Sequence, residues 1–162
     1  MPLQGMATIL FFLAKKAGAA GQVYAFDVQE EALSATRKRL EDGNLLSRAH
    51  LIKDGHEKMG KYINEPVKAV VFNLGFLPGG NKEIITKPDS TLQALQASLS
   101  LLAEGGIITL VVYSKHKGGM EEMNVVEKYL SGFTPKTFTV AKYHFLNHHN
   151  HSPFLLAVLK AY

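Results

Sequence analysis

Hydrophobic and polar positions alternate along the chain in blocks that predict strands and helices in turn. Short runs rich in β-branched and aromatic residues predict strands, and apolar residues three or four positions apart predict helices. The predicted helices are 6–17, 29–40, 56–63, 91–103 and 121–130, and the predicted strands are 22–27, 49–53, 67–74, 107–113, 136–145 and 154–160. Strands that alternate with helices predict an α/β fold with a mostly parallel sheet and helices on both faces.

Several of these elements have more specific expectations. Helix 6–17 is expected to be buried and to end at Gly18. The run 67–74 is apolar almost throughout, which is typical of a strand covered on both faces. Ser90 is expected to cap the helix that follows it. The last two strands predict an antiparallel pair at the sheet edge. Helix 29–40 should bury the face formed by Ala32, Leu33, Thr36 and Leu40.

Length and composition narrow the class of protein. A chain of 162 residues predicts one domain, 1–162, with 46% hydrophobic and 20% charged residues. No apolar run reaches the roughly 18 residues that a membrane span needs, so no membrane association is expected. The apolar start has its lysines at the far end, unlike a secretory signal peptide. Cysteine is absent, which excludes disulfides, thiolate metal sites and cysteine nucleophiles. A cytoplasmic protein is expected.

The net charge is +4 and the isoelectric point is near 9.2. A basic surface favours a polyanionic partner such as RNA, because neutralised phosphates release counterions. Many basic proteins bind no nucleic acid, however. The charge alone therefore does not decide between an RNA-binding protein and a basic protein that binds no nucleic acid.

The start of the chain lacks the glycine-rich turn that usually opens a nucleotide-binding α/β domain. Gly5 is the only glycine before Gly18, so no G-x-G-x-x-G motif can be formed there. The chain begins almost at the helix that normally follows this turn. We therefore expect the first strand to be missing, through truncation rather than through degeneration of the motif.

Polar residues follow the first two predicted strands, at one expected edge of the sheet. In dinucleotide and S-adenosylmethionine folds, a carboxylate at the position of Asp27 accepts hydrogen bonds from both ribose hydroxyls. The alternative is a helix cap, and the position at the carboxyl edge favours the ribose role. Val28 and Gln29 open the next helix. Residues Asp54-Gly55-His56 could contact adenine or form an ordinary turn, and both remain open.

The octet 73–80, NLGFLPGG, is the most informative segment. Asn73 ends a strand predicted to be buried, where an amide is costly unless its hydrogen bonds are satisfied. Nucleic-acid amino methyltransferases use Asn/Asp-Pro-Pro-aromatic loops at this place to accept from the target nitrogen. The octet stands at the same position as those loops but has a different sequence. The alternative is that it forms only a structural turn. The predicted catalytic residues here are Asn73, Leu74 and Gly75, and the predicted substrate contacts are Phe76, Pro78, Gly79 and Gly80.

Three further stretches offer candidate residues. Lys87 precedes a helix start and could bind phosphate, or could be a solvated lysine. His116, in the loop 113–119, could be a general base or a stacking surface, or could be an ordinary surface histidine. Segment 147–151, NHHNH, has no carboxylate or cysteine nearby to complete a metal shell, so no metal site is expected.

These motifs occur in one order: 26–29 (FDVQ), 54–56 (DGH), 73–80, 113–119 and 147–155. Together they resemble the YtqB-type rRNA methylase family over nearly the whole chain from residue 10. The resemblance implies a Rossmann-like class I methyltransferase fold with S-adenosylmethionine as cofactor. It also implies the strand order 3-2-1-4-5-7-6 in family numbering, with strand 1 missing here. The family's cofactor loop has no counterpart, which predicts weak cofactor binding by these residues alone.

The resemblance further implies methyl transfer to an amine of an RNA base, the 5-aminomethyl group of the wobble uridine in tRNA. Cofactor contacts would come from 27–29, 54–56 and Asn73, and the reacting nitrogen would lie at 73–75. Asn147 and Asn150 are expected to contact the RNA. Two rivals are a nucleotide-dependent oxidoreductase and a catalytically inactive RNA- or nucleotide-binding module. The oligomeric state is open, with a homodimer among the options.

Overall fold

The computed structural model describes residues 4–73, 88–113, 119–147 and 152–162. In these ranges the predicted order of helices and strands is confirmed. The helices are α1 (Gln4–Lys16), α2 (Glu30–Asp42), α3 (Pro88–Leu101) and α4 (Gly119–Ser131). The strands are β1 (Val23–Phe26), β2 (Ala49–Ile52), β3 (Val67–Asn73), β4 (Leu102–Val112), β5 (Phe138–Tyr143) and β6 (Phe154–Lys160). Short 3₁₀ helices lie at Leu46–Arg48 and His56–Lys61.

The described residues divide into two compact units, residues 4–56 and the described residues from 57 to 162. In the first unit β1 and β2 form a parallel pair, and α1 packs against α2. The apolar core of this unit consists of Leu10, Ala14, Ala25, Leu40 and Leu45. The prediction of a single domain is not tested by this division and stays a prediction.

Helix α2 buries the face that the sequence predicts. Its buried residues are Ala32, Leu33, Thr36 and Leu40. The Thr36 hydroxyl donates to the Ala32 carbonyl over 2.7 Å, which satisfies the one polar group of that face. Helix α1 is not buried all round, because the Phe12 side chain is 56% exposed. It is an amphipathic helix with one buried stripe.

In the second unit the strand order is β3-β4-β6-β5. Strands β3 and β4 are parallel, and β6 is antiparallel to both of its neighbours. This confirms the predicted antiparallel pair at the sheet edge. The family order with strand 1 left out reads 3-2 and 4-5-7-6, and the two observed sheets have these two orders.

Three local predictions are wrong. Strand β3 is not covered on both faces: Phe72 is buried, but Val71 is 37% exposed, because β3 is an edge strand of its sheet. Ser90 does not cap α3, since the helix starts at Pro88, a residue suited to a first helical turn. The strand predicted from 107 starts at Leu102, and the register of β3 against β4 shifts to accommodate the extra residues.

Gly105 has a φ of 66°, a left-handed conformation that other residues rarely adopt. Gly105→Ala is expected to lower the free energy of unfolding by about 1–3 kcal/mol, the cost of a non-glycine residue in that region. Gly60→Ala is the matched control, because a Cβ at Gly60 would meet no atom within 4 Å. Urea unfolding measures both variants. Equal stability of the two would contradict the assigned conformation of Gly105.

In the described part of the chain, no helix combines the length and the apolar character needed to cross a membrane.

Candidate functional site

The carboxyl ends of β1 and β2 place the first group of predicted residues at one edge. Asp27 follows β1, and its backbone N–H donates to the Ile52 carbonyl at the end of β2 over 3.2 Å. Asp54, Gly55 and His56 follow β2. Parallel strands end at the same edge of a sheet, where ligands bind in open α/β folds. The structure therefore brings together the residues that the sequence assigns to ribose and adenine.

The Asp27 side chain is half-buried and takes part in a turn. Its Oδ1 accepts a hydrogen bond from the Gln29 backbone N–H over 2.9 Å. The N-cap residue of α2 is Gln29, so Asp27 is not the helix cap that was the alternative interpretation. Val28 lies between them with 49% of its side chain exposed. A carboxylate so placed fixes the turn and remains beside the edge where a ligand would bind.

Burial raises the pKa of the Asp27 carboxyl above its ordinary value. The backbone N–H groups of Gln29 and Val28 lower that pKa, as does the charge of His56, but burial is the larger effect. Partly desolvated carboxylates with a specific charge partner are typical of functional sites.

The loop after β2 is built around Gly55, which is buried. The Asp54 Oδ1 accepts from the Gly55 backbone N–H over 2.8 Å, and His56 begins the 3₁₀ helix that follows. The Nε2 atom of His56 is buried. These contacts hold Asp54 and His56 in a defined turn next to Asp27, as an adenine-contacting loop would require.

A second edge lies in the second unit, where β3, β4 and β5 run in the same direction. Asn73 ends β3 opposite Val111 of β4, and Tyr113 follows β4. Asn73 is exposed, so the premise that its amide is buried is wrong, because β3 is an edge strand. Its proposed role then depends on its position at the strand end. Asn147 is exposed in the turn that follows β5.

The remaining predicted site residues lie outside the described ranges, and their roles stay predictions. These residues are Leu74, Gly75, Phe76, Pro78, Gly79, Gly80, Lys87, His116 and Asn150.

Two hollows of about 380 and 360 Å³ are lined by residues of the second unit, and none of the described site residues that the sequence predicts is in their linings. The first is lined by Pro66, Leu102 and Lys160 among others, near the amino end of β3. The second lies beside Lys58, Lys61 and Gln93. The carboxyl strand ends are the more specific site, because the polar residues predicted from the sequence lie there and ligands bind at these ends in open α/β folds.

One buried polar pair was not predicted from the sequence. The Thr91 hydroxyl donates to Oε1 of Glu122 over 2.5 Å, and both residues are almost completely buried. A signal for Glu122 is present in the sequence, because it lies four and eight residues before Val126 and Leu130, on the face of α4 that faces the core.

Known proteins resemble the chain in sequence. Residues 23–159 match the family model described as "Putative rRNA methylase". The chloroplastic tRNA (mnm(5)s(2)U34)-methyltransferase of Arabidopsis thaliana is 40% identical over 147 residues, which are 88% of this chain and 54% of that protein. The chain thus spans about half the length of the curated relative that it matches.

Solved structures resemble it in fold. A "putative rRNA-methylase" from Clostridium thermocellum is 46% identical with a TM-score of 0.90, over 94% of this chain and 82% of that one. A "putative methyltransferase" from Streptococcus mutans, solved in complex with SAH, is 38% identical with a TM-score of 0.85, over 97% of this chain and 84% of that one. The predicted Rossmann-like methyltransferase fold is confirmed by these two structures.

Proposed function

The chain belongs to the rRNA methylase family, and on that premise we propose that it transfers a methyl group from S-adenosylmethionine to an amine of an RNA base. The observation that supports this most directly is the half-buried Asp27 beside the loop 54–56, at the carboxyl ends of two parallel strands. A carboxylate at that place is suited to ribose hydroxyls.

The cofactor contacts are proposed as follows. Asp27 accepts from the ribose hydroxyls, and Val28 and Gln29 line the ribose from the start of α2. Asp54, Gly55 and His56 contact adenine. The Asp27 carboxyl fits this role. Burial raises its pKa, so its carboxylate form is poorly solvated and would be stabilised by hydrogen bonds donated by the ribose hydroxyls. The homologue from Streptococcus mutans, solved with SAH, supports the same cofactor. The cofactor supplies an electrophilic methyl group.

The substrate amine is proposed to lie at the second edge. The Asn73 side chain and the backbone of Leu74 and Gly75 would accept hydrogen bonds from it and orient its lone pair. An amine needs mainly alignment and loss of one proton to react with a methyl donor. His116 is the proposed proton acceptor. The amine attacks the methyl donor directly, so this reaction needs no covalent nucleophile.

The finer proposal is that the substrate amine is the 5-aminomethyl group of the wobble uridine in tRNA. The name of the Arabidopsis relative supports it, and the net charge of +4 is compatible with an RNA partner. The proposed RNA contacts are Phe76, Pro78, Gly79, Gly80, Lys87, Asn147 and Asn150. The cytoplasmic location stays a prediction, since that relative is named as chloroplastic.

Calorimetry and a methyl-transfer assay test the function together. The chain is expected to bind S-adenosylmethionine weakly and NAD not at all, and to transfer labelled methyl to tRNA that contains 5-aminomethyl-2-thiouridine. The same tRNA with unmodified uridine at the wobble position is the control and should remain unlabelled. Transfer to ribosomal RNA alone would overturn the finer proposal. Binding of cofactor and RNA without transfer would indicate an inactive binding module, and binding of NAD would indicate an oxidoreductase.

A further inference from the structure

The sheet of the second unit has one uncharged face. Residues paired across neighbouring strands point to the same face, and successive residues of one strand point to opposite faces. On the face opposite the buried side chains of Phe72 and Val112, three rows of paired residues cross all four strands. Two of these rows contain only alanine, valine, leucine, isoleucine and threonine. The third row lies at the carboxyl ends of β3, β4 and β5, and it differs from the other two.

This third row, called the end row below, runs from Asn73 through Val111 and Leu155 to Tyr143. Asn73 pairs with Val111, Val111 with Leu155, and Leu155 with Tyr143. The two end members are exposed and the two middle members are half-buried. Neighbouring strands lie about 4.8 Å apart, so three spacings place Tyr143 about 14 Å from Asn73. The end row is therefore an uncharged surface with an amide at one end and an aromatic ring at the other.

The aromatic end of the row is a cluster of exposed large side chains. The Tyr143 side chain is 62% exposed, and the Phe145 side chain is 48% exposed. Their ring centroids are 5.6 Å apart and their planes meet at 77°, the edge-to-face arrangement that aromatic pairs favour. Leu146 beside them is also exposed. The contact with Phe145 restricts the Tyr143 ring while most of that ring stays open to a partner, and exposed apolar clusters of this kind are typical of binding surfaces.

The charge of the surrounding chain favours a polyanionic partner. Residues 128–162 include four lysines and no aspartate or glutamate. The Glu127 carboxylate accepts a hydrogen bond from Lys142 Nζ, and Lys142 points to the face opposite Tyr143 because it precedes Tyr143 in the strand. A second copy of the chain would bring a net charge of +4 towards an equally basic surface. Single-stranded RNA combines phosphates with flat apolar bases, which suits both the charge and the ring.

We propose that Tyr143 stacks on an unpaired RNA base within about four nucleotides of the base that is methylated. The inference rests on the proposed function, because Asn73 at the other end of the row is the proposed partner of the reacting amine. Enzymes that modify a base take it out of its stack, so its neighbours lose a stacking partner that an aromatic side chain can replace. Stacked nucleotides are about 3.4 Å apart, so about 14 Å corresponds to about four of them.

Three substitutions separate stacking from other contacts. Tyr143→Phe keeps the aromatic plane, Tyr143→Leu keeps an apolar side chain without that plane, and Tyr143→Ala removes both. Tyr162→Ala is the matched control, because Tyr162 is 99% exposed and follows β6, which ends at the opposite edge of the same sheet. Each protein is assayed for its melting temperature, for the Kd of S-adenosylmethionine, and for the Kd of a tRNA anticodon stem-loop that contains 5-aminomethyl-2-thiouridine.

Tyr143→Ala and Tyr143→Leu are each expected to raise the Kd of the RNA about tenfold, the effect of losing one base–aromatic stack. Tyr143→Phe and Tyr162→Ala should stay within about twofold of the parent chain. The Kd of S-adenosylmethionine and the melting temperature should be unchanged in all four variants.

Stem-loops with one abasic nucleotide identify the stacked base. At one position within about four nucleotides of the target, loss of the base should weaken binding by the parent chain about tenfold and should have no further effect on Tyr143→Ala. This non-additive result is expected only where the missing base and the missing ring contact each other.

Several outcomes would overturn the inference alone. They are parent-like RNA binding by Tyr143→Leu, equal losses in Tyr143→Ala and Tyr162→Ala, and additive losses at every abasic position. A change of oligomeric state in Tyr143→Ala, measured by sedimentation, would also overturn it by showing that the cluster joins two copies of the chain. Failure of the parent chain to bind any RNA would overturn both the inference and the proposed function. RNA binding without methyl transfer would contradict the proposed function, and the Kd comparisons would still decide the inference.

Discussion

Asn73→Ala is expected to lower kcat for methyl transfer to tRNA by about two orders of magnitude, the effect of removing one preorganised polar partner of the reacting group. The amide is proposed to accept from the target amine, so it matters most as the transition state forms. The Kd of S-adenosylmethionine should change little, because the proposed ribose and adenine contacts involve other residues. Single-turnover methylation and calorimetry measure the two quantities.

Because Asn73 is exposed, a loss of turnover in Asn73→Ala can be distinguished from a loss of stability more clearly than the sequence alone would allow. A buried amide serving only the turn would have cost about 1–3 kcal/mol of stability when removed. An exposed amide at the end of an edge strand should cost no more than about 0.5 kcal/mol. Loss of turnover in Asn73→Ala with an unchanged melting temperature is therefore the expected combination.

Two companion variants check the specificity of that loss. Asn64→Ala removes another exposed amide, near the amino end of β3 and away from the proposed substrate edge, and should leave kcat unchanged. Asn73→Asp keeps an oxygen acceptor at the strand end and should retain more activity than Asn73→Ala. A kcat for Asn73→Ala within about threefold of the parent chain would remove Asn73 from the proposed catalytic group, because such a change lies far below that of a lost transition-state contact.

Local periodicity accounts for the parts of the fold that the sequence predicts well. The buried face of α2 follows from apolar residues spaced three and four positions apart, and its four members agree with the structure. Strand β6 has its predicted bounds, Phe154–Lys160, because a proline precedes a continuous apolar run. These features depend on neighbours in the sequence, so the sequence contains the information needed to predict them.

Features that depend on distant neighbours were not predictable in the same way. The run 67–74 looks like a strand covered on both faces, but its exposure depends on where β3 lies in the sheet. The start of β4 at Leu102 depends on pairing with β3 and on the left-handed conformation of Gly105. Helix propensity favours extending α3 into 102–103, and the strand pairing overrides it.

The candidate site likewise has features that the sequence predicts and features that depend on residues distant in the sequence. The sequence predicts that Asp27 and the loop 54–56 share an edge, because parallel strands end together. It does not predict how the environment of Asp27 alters its pKa, which depends on burial and on His56. The pairing of Thr91 with Glu122 was also hidden, because the two residues are 31 positions apart and come together only through packing of α3 on α4.

Asp27 offers the second large effect, in cofactor affinity. Asp27→Ala and Asp27→Asn are both expected to weaken S-adenosylmethionine binding about tenfold or more, since hydrogen bonds from hydroxyls to a charged acceptor contribute roughly 1.5–3 kcal/mol. An asparagine amide offers one acceptor oxygen and cannot replace a carboxylate that accepts from two ribose hydroxyls. Asp42→Asn, an exposed position at the end of α2, is the matched control and should bind normally.

The two substitutions should differ in stability. Asparagine can still accept from the Gln29 N–H through its Oδ1, whereas alanine leaves that donor without its 2.9 Å partner and should cost about 1 kcal/mol. Because burial raises the pKa of Asp27 above 3.8, the folded state of the parent chain favours the protonated carboxyl. The protonated Asp27 carboxyl therefore contributes to the stability of the fold at pH values below its ordinary pKa, and this contribution is lost as the pH rises through the pKa of the folded state. At neutral pH the parent chain therefore contains a carboxylate that its surroundings disfavour.

It follows that Asp27→Asn should be at least as stable as the parent chain at neutral pH, and that its relative stability should increase as the pH is raised from about 4 to about 7. Urea unfolding of the parent chain and both variants across this range gives the comparison, and calorimetry at neutral pH gives the affinities. Weakened cofactor binding together with undiminished stability in Asp27→Asn would identify a carboxylate retained for ligand binding at the expense of the fold. Normal affinity in both variants, with a lower melting temperature only in Asp27→Ala, would instead show that Asp27 serves the turn before α2 and nothing more.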